Sequence, residues 1–191
     1  MFSSWVHRLQ ALRLHATAPS ISRRGMRVTA SELATGLPSL GNVLYLPMQS
    51  QGAKDWKMSR GLLVEAWQLA PLLQTRRLVA GCMITVEGPR EWIECVDGQD
   101  RACARLYLLP DTDYLAWDSL LLRGELTASP VRQWRHAHPA NAQVLRFHAR
   151  RLAGLDVLGA EASEEVSSLS RQLAGRIARA EAVSLQLAGG G

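Results

Sequence analysis

Cysteine is scarce in this chain of 191 residues. Cys82, Cys95 and Cys103 form an odd set without CxxC spacing, whereas a secreted disulfide scaffold carries an even and denser set. We therefore expect reduced thiols and a cytoplasmic location. A zinc site would need a fourth ligand and a catalytic thiol would need a neighbouring base, so the simplest interpretation is three small buried side chains.

Long apolar runs are missing as well. Large aliphatic side chains are frequent in residues 62–73, 78–86 and 106–122. None of these stretches reaches the roughly 18 uninterrupted apolar residues that a membrane span requires. The sequence therefore predicts no transmembrane segment.

Short motifs with a known mechanism are also absent. The chain contains no GxxxxGKS/T, GxGxxG, GxSxG or HExxH pattern. These patterns would indicate a phosphate-binding loop, a dinucleotide site, a serine nucleophile or a zinc-protease helix. The sequence thus identifies no catalytic residue and no cofactor.

Acidic side chains are missing from two stretches of the chain. Residues 1–31 hold five arginines and no acid, and residues 126–155 again hold five arginines and no acid. The whole chain has a net charge of +5. Two basic blocks suit an acidic protein or a polyanion as partner, and the alternative is two solvated basic faces.

The amino-terminal segment carries an apolar stripe. Five side chains recur at spacings of three and four, as on one face of a helix: Phe2, Trp5, Val6, Leu9 and Leu12. This arginine-rich segment fits a helix that docks on the core, a partner-binding helix, or a transit peptide. A transit peptide would make the location organellar.

The clearest structural pattern lies between residues 78 and 109. Short apolar runs are separated there by turn residues around Gly88 and Gly98. This pattern predicts a three-stranded antiparallel meander with Trp92 near a turn. Residues 43–46 are the candidate for a fourth strand.

Helices are predicted on both sides of this meander. One begins after Ser59 and is kinked by Pro71, because proline lacks the N–H of a helical residue. Another starts after residues 111–113 and stops at Gly124. A third covers residues 141–153.

The last predicted helix begins near Ser163 and has an apolar stripe formed by Val166, Leu169, Leu173 and Ile177. An isolated helix is marginal in water, so this stripe must pack on the core, on the amino-terminal segment or on a second copy. A homodimer through residues 163–187 is one of these outcomes.

The predicted fold class is α+β, with a small antiparallel sheet covered by helices and a long carboxy-terminal amphipathic helix. Three regions follow: residues 1–30 (basic segment and linker), 31–160 (core domain) and 161–191 (terminal helix).

Three of the five histidines cluster in the sequence. His136 and His138 share one loop, and His148 lies ten residues further on. Imidazoles can ligate a metal or a haem iron, so these three residues are the ligand candidates. No carboxylate lies between Glu125 and Asp156 to complete such a site locally. The alternative for His148 is a hydrogen-bonded histidine on the apolar face of a helix.

The basic segment that contains these histidines also has interleaved aromatic residues, as in surfaces that bind single-stranded nucleic acid. Its arginines are the candidates for polyanion binding: Arg132, Arg135, Arg146, Arg150 and Arg151. The function that the sequence favours is a non-enzymatic binding or adaptor protein, acting through a basic face or its terminal amphipathic helices. The alternatives are a metal- or haem-binding protein that uses the histidine cluster, and an enzyme with scattered catalytic residues.

Overall fold

The computed structural model of the protein describes residues 21–49, 61–85, 88–126 and 138–186. In this part of the chain, ten strands form one mixed sheet. In chain order they are β1 (Ile21–Arg27), β2 (Asn42–Pro47), β3 (Leu62–Val64), β4 (Arg77–Thr85), β5 (Gly88–Val96), β6 (Ala102–Tyr107), β7 (Glu125–Leu126), β8 (Ala142–Leu152), β9 (Leu155–Ala162) and β10 (Leu185–Gln186).

The strands follow the spatial order β3-β9-β8-β2-β6-β5-β4-β1-β7, and β10 pairs with β8. All pairings are antiparallel except β3 with β9 and β10 with β8. The helices of the described part are α1 (Ala30–Gly36), α2 (Tyr114–Leu122) and α3 (Ser168–Ala180), with 3₁₀ helices at Leu37–Leu40 and Trp67–Gln74. No helix in this part is long and apolar enough to cross a membrane.

The predicted fold class is wrong, because the sheet is large and the helices are few. The meander itself is present, since β4, β5 and β6 pair antiparallel with one another, and β2 is the fourth strand. These strands, however, belong to a ten-stranded sheet rather than forming a small one. Trp92 lies in the middle of β5, opposite Gly81, and its ring occupies the space that a Cβ at Gly81 would fill.

Residues 141–153 form strand β8 instead of the predicted helix. Val144 packs on one face of the sheet while Leu145 and Phe147 pack on the other. A strand that is buried on both faces loses the strict alternation of apolar and polar residues by which strands are recognised. The spacing of apolar residues in this segment was therefore interpreted as that of a helix.

The predicted core helix before Pro71 is also wrong. Residues Leu62–Val64 form β3, and Pro71 lies inside the 3₁₀ helix that follows. Most leucines of this segment are buried as expected, with Leu69 and Leu72 packed in the main core, while Leu63 is only partly buried. The composition thus indicated burial correctly but not the conformation.

The carboxy-terminal helix is shorter than predicted, and its packed face matches the predicted stripe only in part. It begins after Ser167, whose hydroxyl accepts a hydrogen bond from the Ser170 N–H. The buried side of α3 consists mainly of small residues, including Ala174, together with Ile177. Leu169, which belongs to the predicted stripe, is 64% exposed. Val166, Leu173 and Ile177 of the predicted stripe do pack in an apolar cluster on the sheet, beside the small residues of α3, so the stripe is part of the docking face and Leu169 alone departs from it.

Residues 21–27, part of the predicted linker, form β1 and pair with β4. The helix predicted after residues 111–113 is confirmed as α2, with Asp113 accepting a hydrogen bond from the Ala116 N–H at 2.9 Å. The apolar stripe of residues 2–12 lies outside the described residues, so the three interpretations of it stay predictions.

The sheet separates two apolar clusters. On one face, α1, α2 and the 3₁₀ helices cover the larger cluster, which contains Tyr45, Leu106 and Phe147. On the other face, α3 covers the smaller cluster, which contains Leu44 and Tyr107. We call these the α1/α2 face and the α3 face.

We expect Ile177→Ala to lower the free energy of unfolding by about 2–5 kcal/mol, because Ile177 is 1% exposed and its truncation leaves a cavity under α3. Leu169→Ala should change it by less than about 0.5 kcal/mol, because Leu169 is exposed. Both changes introduce the best helix former, so helix propensity does not confound the comparison. Urea denaturation measures both variants, and equal losses would contradict the observed orientation of α3.

Candidate functional site

An open row of polar side chains lies on the α3 face, beyond α3 itself. Arg146, His148 and Arg150 are two residues apart along β8, so their side chains project to the same face as the buried Val144. Strand geometry spaces them at about 6.6 Å from one to the next. The row therefore presents an imidazole between two guanidinium groups.

Glu65 joins two members of this row. It directly follows β3, and its backbone N–H donates to the Leu158 carbonyl at 3.0 Å. One carboxylate oxygen, Oε2, lies 2.9 Å from His148 Nε2, and the other, Oε1, lies 2.6 Å from Arg150 Nε. An ionised carboxylate can only accept hydrogen bonds, so Nε2 of the imidazole is the donor in this pair.

A glycine makes room for this arrangement. Gly159 of β9 is the register partner of His148, and a Cβ at this position would overlap His148 Nε2 and Glu65 Oε2. The Glu65–His148 contact therefore lies directly over the backbone of β9. Any side chain at position 159 would have to push the pair aside.

The His148 side chain is 44% exposed, and Glu65 and Arg150 are 27% and 62% exposed. Within the described residues, the His148 imidazole forms its hydrogen bond with Glu65. The predicted alternative, a core histidine on a helix, is thus replaced by a partly exposed histidine on a strand. We call Glu65, His148 and Arg150 the trio.

The other histidine candidates do not join the trio. His138 lies beside Gln49, whose N–H donates to the His138 carbonyl at 2.9 Å, beyond the end of β2. His148 comes two residues after Arg146, and Arg146 pairs with Asn42 at the other end of β2. His138 and His148 therefore lie near opposite ends of this strand. His136 lies outside the described residues. Within the described ranges, no group of three His, Cys, Asp or Glu side chains is arranged to hold a metal ion.

The three arginine candidates that the structure describes lie opposite or against acidic residues. Arg146 lies opposite Glu161 in the β8–β9 register, and Arg151 Nε lies 3.7 Å from Asp156 Oδ1. Arg150 is held by Glu65, as described above, while Arg132 and Arg135 lie outside the described residues. Strand pairing thus places the acids of one segment opposite the arginines of another. Polyanion binding through these arginines stays a prediction.

A second polar cluster on the α3 face is buried, and none of the patterns interpreted in the sequence predicted it. Arg105 Nη2 lies 3.1 Å from Glu94 Oε1, and Arg105 Nη1 lies 2.6 Å from Glu181 Oε1. The Tyr107 hydroxyl also donates to Glu181, and the Trp92 N–H donates to Glu94 at 3.3 Å. Glu94 and Arg105 sit at inward positions of the meander, which is the signal that could have identified them.

This buried cluster anchors the end of α3, because Glu181 is the residue that follows the helix. Burial raises the pKa of the Tyr107 hydroxyl well above its usual range, so the phenol keeps its proton. Burial alone would lower the pKa of Arg105, but Tyr107, Glu94 and Glu181 raise it. Each charged group is therefore held in place by an opposite charge.

Two of the three cysteines are small core side chains as predicted, whereas the prediction of burial is wrong for Cys82, which is only partly buried. Cys95 and Cys103 are buried, and the Cys103 Sγ–H donates to the Cys95 carbonyl at 3.1 Å. Burial raises the pKa of the Cys103 thiol to about 12. This thiol is therefore protonated at neutral pH, and the thiolate is the form that reacts as a nucleophile.

No protein-family model matches the chain, and neither does any curated protein sequence. The fold is similar to that of the heme-degrading enzyme ChuS of Escherichia coli O157:H7, with 20% identity and a TM-score of 0.42 over 63% of this chain and 40% of that one. It is also similar to holo-PhuS, a heme-binding protein from Pseudomonas aeruginosa, with 19% identity and a TM-score of 0.41 over 59% of this chain and 37% of that one. The chain therefore matches about two-fifths of the length of either protein.

We expect Glu94→Ala to lower the free energy of unfolding by about 3–5 kcal/mol, because it leaves Arg105 buried without one of its partners. The control is Asp156→Ala, which removes an exposed partner of Arg151 and should cost about 0–1 kcal/mol. Urea denaturation of both variants measures the difference. Similar losses would show that burial does not make the Glu94–Arg105 pair more important for stability than the exposed pair.

Proposed function

We propose that this protein binds haem through His148. The observation that carries the proposal is the trio, in which a partly exposed imidazole is held by a carboxylate beside arginine side chains. The proposal concerns binding and assigns no reaction to the chain. Its basis is the His148 imidazole and the neighbouring guanidinium groups on the α3 face.

His148 has the features of an iron ligand. Glu65 lies 2.9 Å from His148 Nε2, the ring nitrogen that points away from the backbone. Iron would bind at this nitrogen and replace the contact with Glu65, which two partly exposed partners can release at little cost. When bound, haem would supply an iron centre whose properties depend on the histidine that holds it.

The arginines fit the anionic side of the same ligand. Haem carries propionate carboxylates, and guanidinium groups form the strongest hydrogen bonds to carboxylates. Arg146 and Arg150 flank His148 on one strand face. Arg146 forms no ion pair within the described part of the chain, while Arg150 would be shared between Glu65 and a propionate.

Haem suits this site better than a bare metal ion does. A protein site for a free ion usually gathers three or four side-chain ligands, and the described residues contain no such group. Haem brings the ring nitrogens that hold its iron, so one imidazole can complete the coordination.

The main alternative is a non-enzymatic adaptor that acts through its basic face. Arg146 is the residue that favours it, because it is exposed and unpaired within the described residues. Against it, Glu65 and Asp156 already face Arg150 and Arg151. The haem titration below separates the two, since an adaptor would show no coordination of iron by His148.

We expect purified protein titrated with ferric haem to give the shifted absorption spectrum of a histidine-ligated iron. His148→Ala should lose this spectrum and weaken binding about tenfold or more, because it removes the axial ligand. His138→Ala is the matched control, since His138 is an exposed histidine at the other end of the β2–β8 pairing. The proposal fails if His148→Ala binds haem with the spectrum and affinity of the parent.

A further inference from the structure

Helix α2 is apolar on the side that faces water as well as on the side that faces the core. Trp117 and Leu120 are buried against the sheet, whereas Leu115 and Leu122 are 80% and 76% exposed. The two exposed leucines are seven residues apart, which is about two turns, so they lie on one side of the helix. We call this side the outer side of α2.

The composition of α2 is that of a covered helix. Of its nine residues, Asp118 and Ser119 are the two that are neither aliphatic nor aromatic. A surface helix is normally polar on the side away from the core, and a helix that is apolar on every side is normally buried. The sequence of α2 therefore suits a helix that packs between the core and a further element.

We propose that the outer side of α2 is the docking surface of the amino-terminal segment of this same chain, residues 2–12. This segment lies outside the described residues, and its sequence carries an apolar stripe with helical spacing. A helix of this length would be about 16 Å long and α2 is about 14 Å long, so the stripe and the surface match. The inference does not depend on haem binding, because none of these residues belongs to the trio.

The connection between the two elements is long enough. Residues 13–20 join the segment to Ile21, the first residue of β1. The strand pairs with β7 through Met26 and Leu126, just after α2, and Leu126 is itself 71% exposed. Ile21 is about 16 Å from Met26 along β1, and the connecting residues span up to about 28 Å when extended. They can therefore lead from the end of β1 back to α2.

Charge favours this occupant over a second copy of the chain. Asp118 is exposed on the outer side of α2 and Asp113 caps its first turn, while Arg123 follows the helix. Two copies packed through their outer sides would bring these carboxylates together, and like charges that meet in an interface weaken it. The amino-terminal segment and its connection contain Arg8 and Arg13 and no acidic residue. They offer the carboxylates an opposite charge.

The first test places pairs of cysteines across the proposed contact in the full-length protein. One cysteine replaces Leu115 or Leu122, so that either direction of the segment is tested. The other replaces Leu9, within the stripe, or Ala11, which would lie on the opposite side of a helix. Cys82→Ser accompanies every pair, because Cys82 is partly exposed whereas the other native cysteines are buried. A short bis-maleimide then cross-links thiols that are close together, and mass spectrometry identifies the linked peptides.

We expect Leu9→Cys to form an intramolecular cross-link with one of the two α2 positions, in about fivefold or greater yield than Ala11→Cys, because docking raises the effective concentration of the facing thiol. A product of twice the mass would show that a second copy occupies the surface. Equal yields for Leu9→Cys and Ala11→Cys, or no product, would show that the stripe does not face α2. Each of these three results overturns the inference.

The second test measures thermal melting of Leu9→Gln, Leu122→Gln and the double variant. Each single change should lower the melting temperature by about 3–8 °C, because it places a polar group in an apolar contact. The double variant should lose little more than either single one, because both remove the same contact. Leu169→Gln is the matched control, since Leu169 is a comparably exposed leucine on α3. The inference is overturned if Leu122→Gln melts like this control.

Discussion

The alternation of side chains along β8 positions both the core and the candidate site. Leu145 and Phe147 are buried in the cluster of the α1/α2 face, while His148 and Arg150 lie on the opposite face of the same strand. Because the period of a strand is two residues, a register shift by one position would exchange these two sets. Burial of Leu145 and Phe147 therefore fixes the direction in which His148 points, and the stability of the core maintains the geometry of the trio.

The predictions that succeeded depend on local patterns. The strands β4, β5 and β6 alternate and are joined by turn residues, and α2 begins at the capping residue Asp113, so each could be recognised from its own segment. Strand β8 could not, because it is buried on both faces where it pairs with β2. The orientation of α3 was predictable only in part, because Leu173 and Ile177 of the apolar stripe do pack on the sheet, but small residues such as Ala174 that complete the docking side carry little hydrophobic signal.

The candidate site was predictable only in part, because its charges come from segments distant in sequence. The sequence singles out His148 and Arg150, but nothing local indicates that Glu65, 83 residues away from His148, contacts both. The same long-range pairing places Glu161 opposite Arg146. A block of basic residues that looks uniform in the sequence therefore becomes a row in which acids face arginines. Composition by segment overstates the charge of such a surface.

The two polar clusters on the α3 face differ in exposure, and this difference determines what each can do. Glu94 is 2% exposed, so giving up its contact with Arg105 would leave a buried charge unpaired at a cost of several kcal/mol. Glu65 and His148 are exposed enough for water to replace a partner, so their contacts can be exchanged at little cost. A binding site needs groups that are stable both with and without the ligand. The buried cluster can only hold α3 in place, whereas the exposed trio can accept a ligand without destabilising the fold.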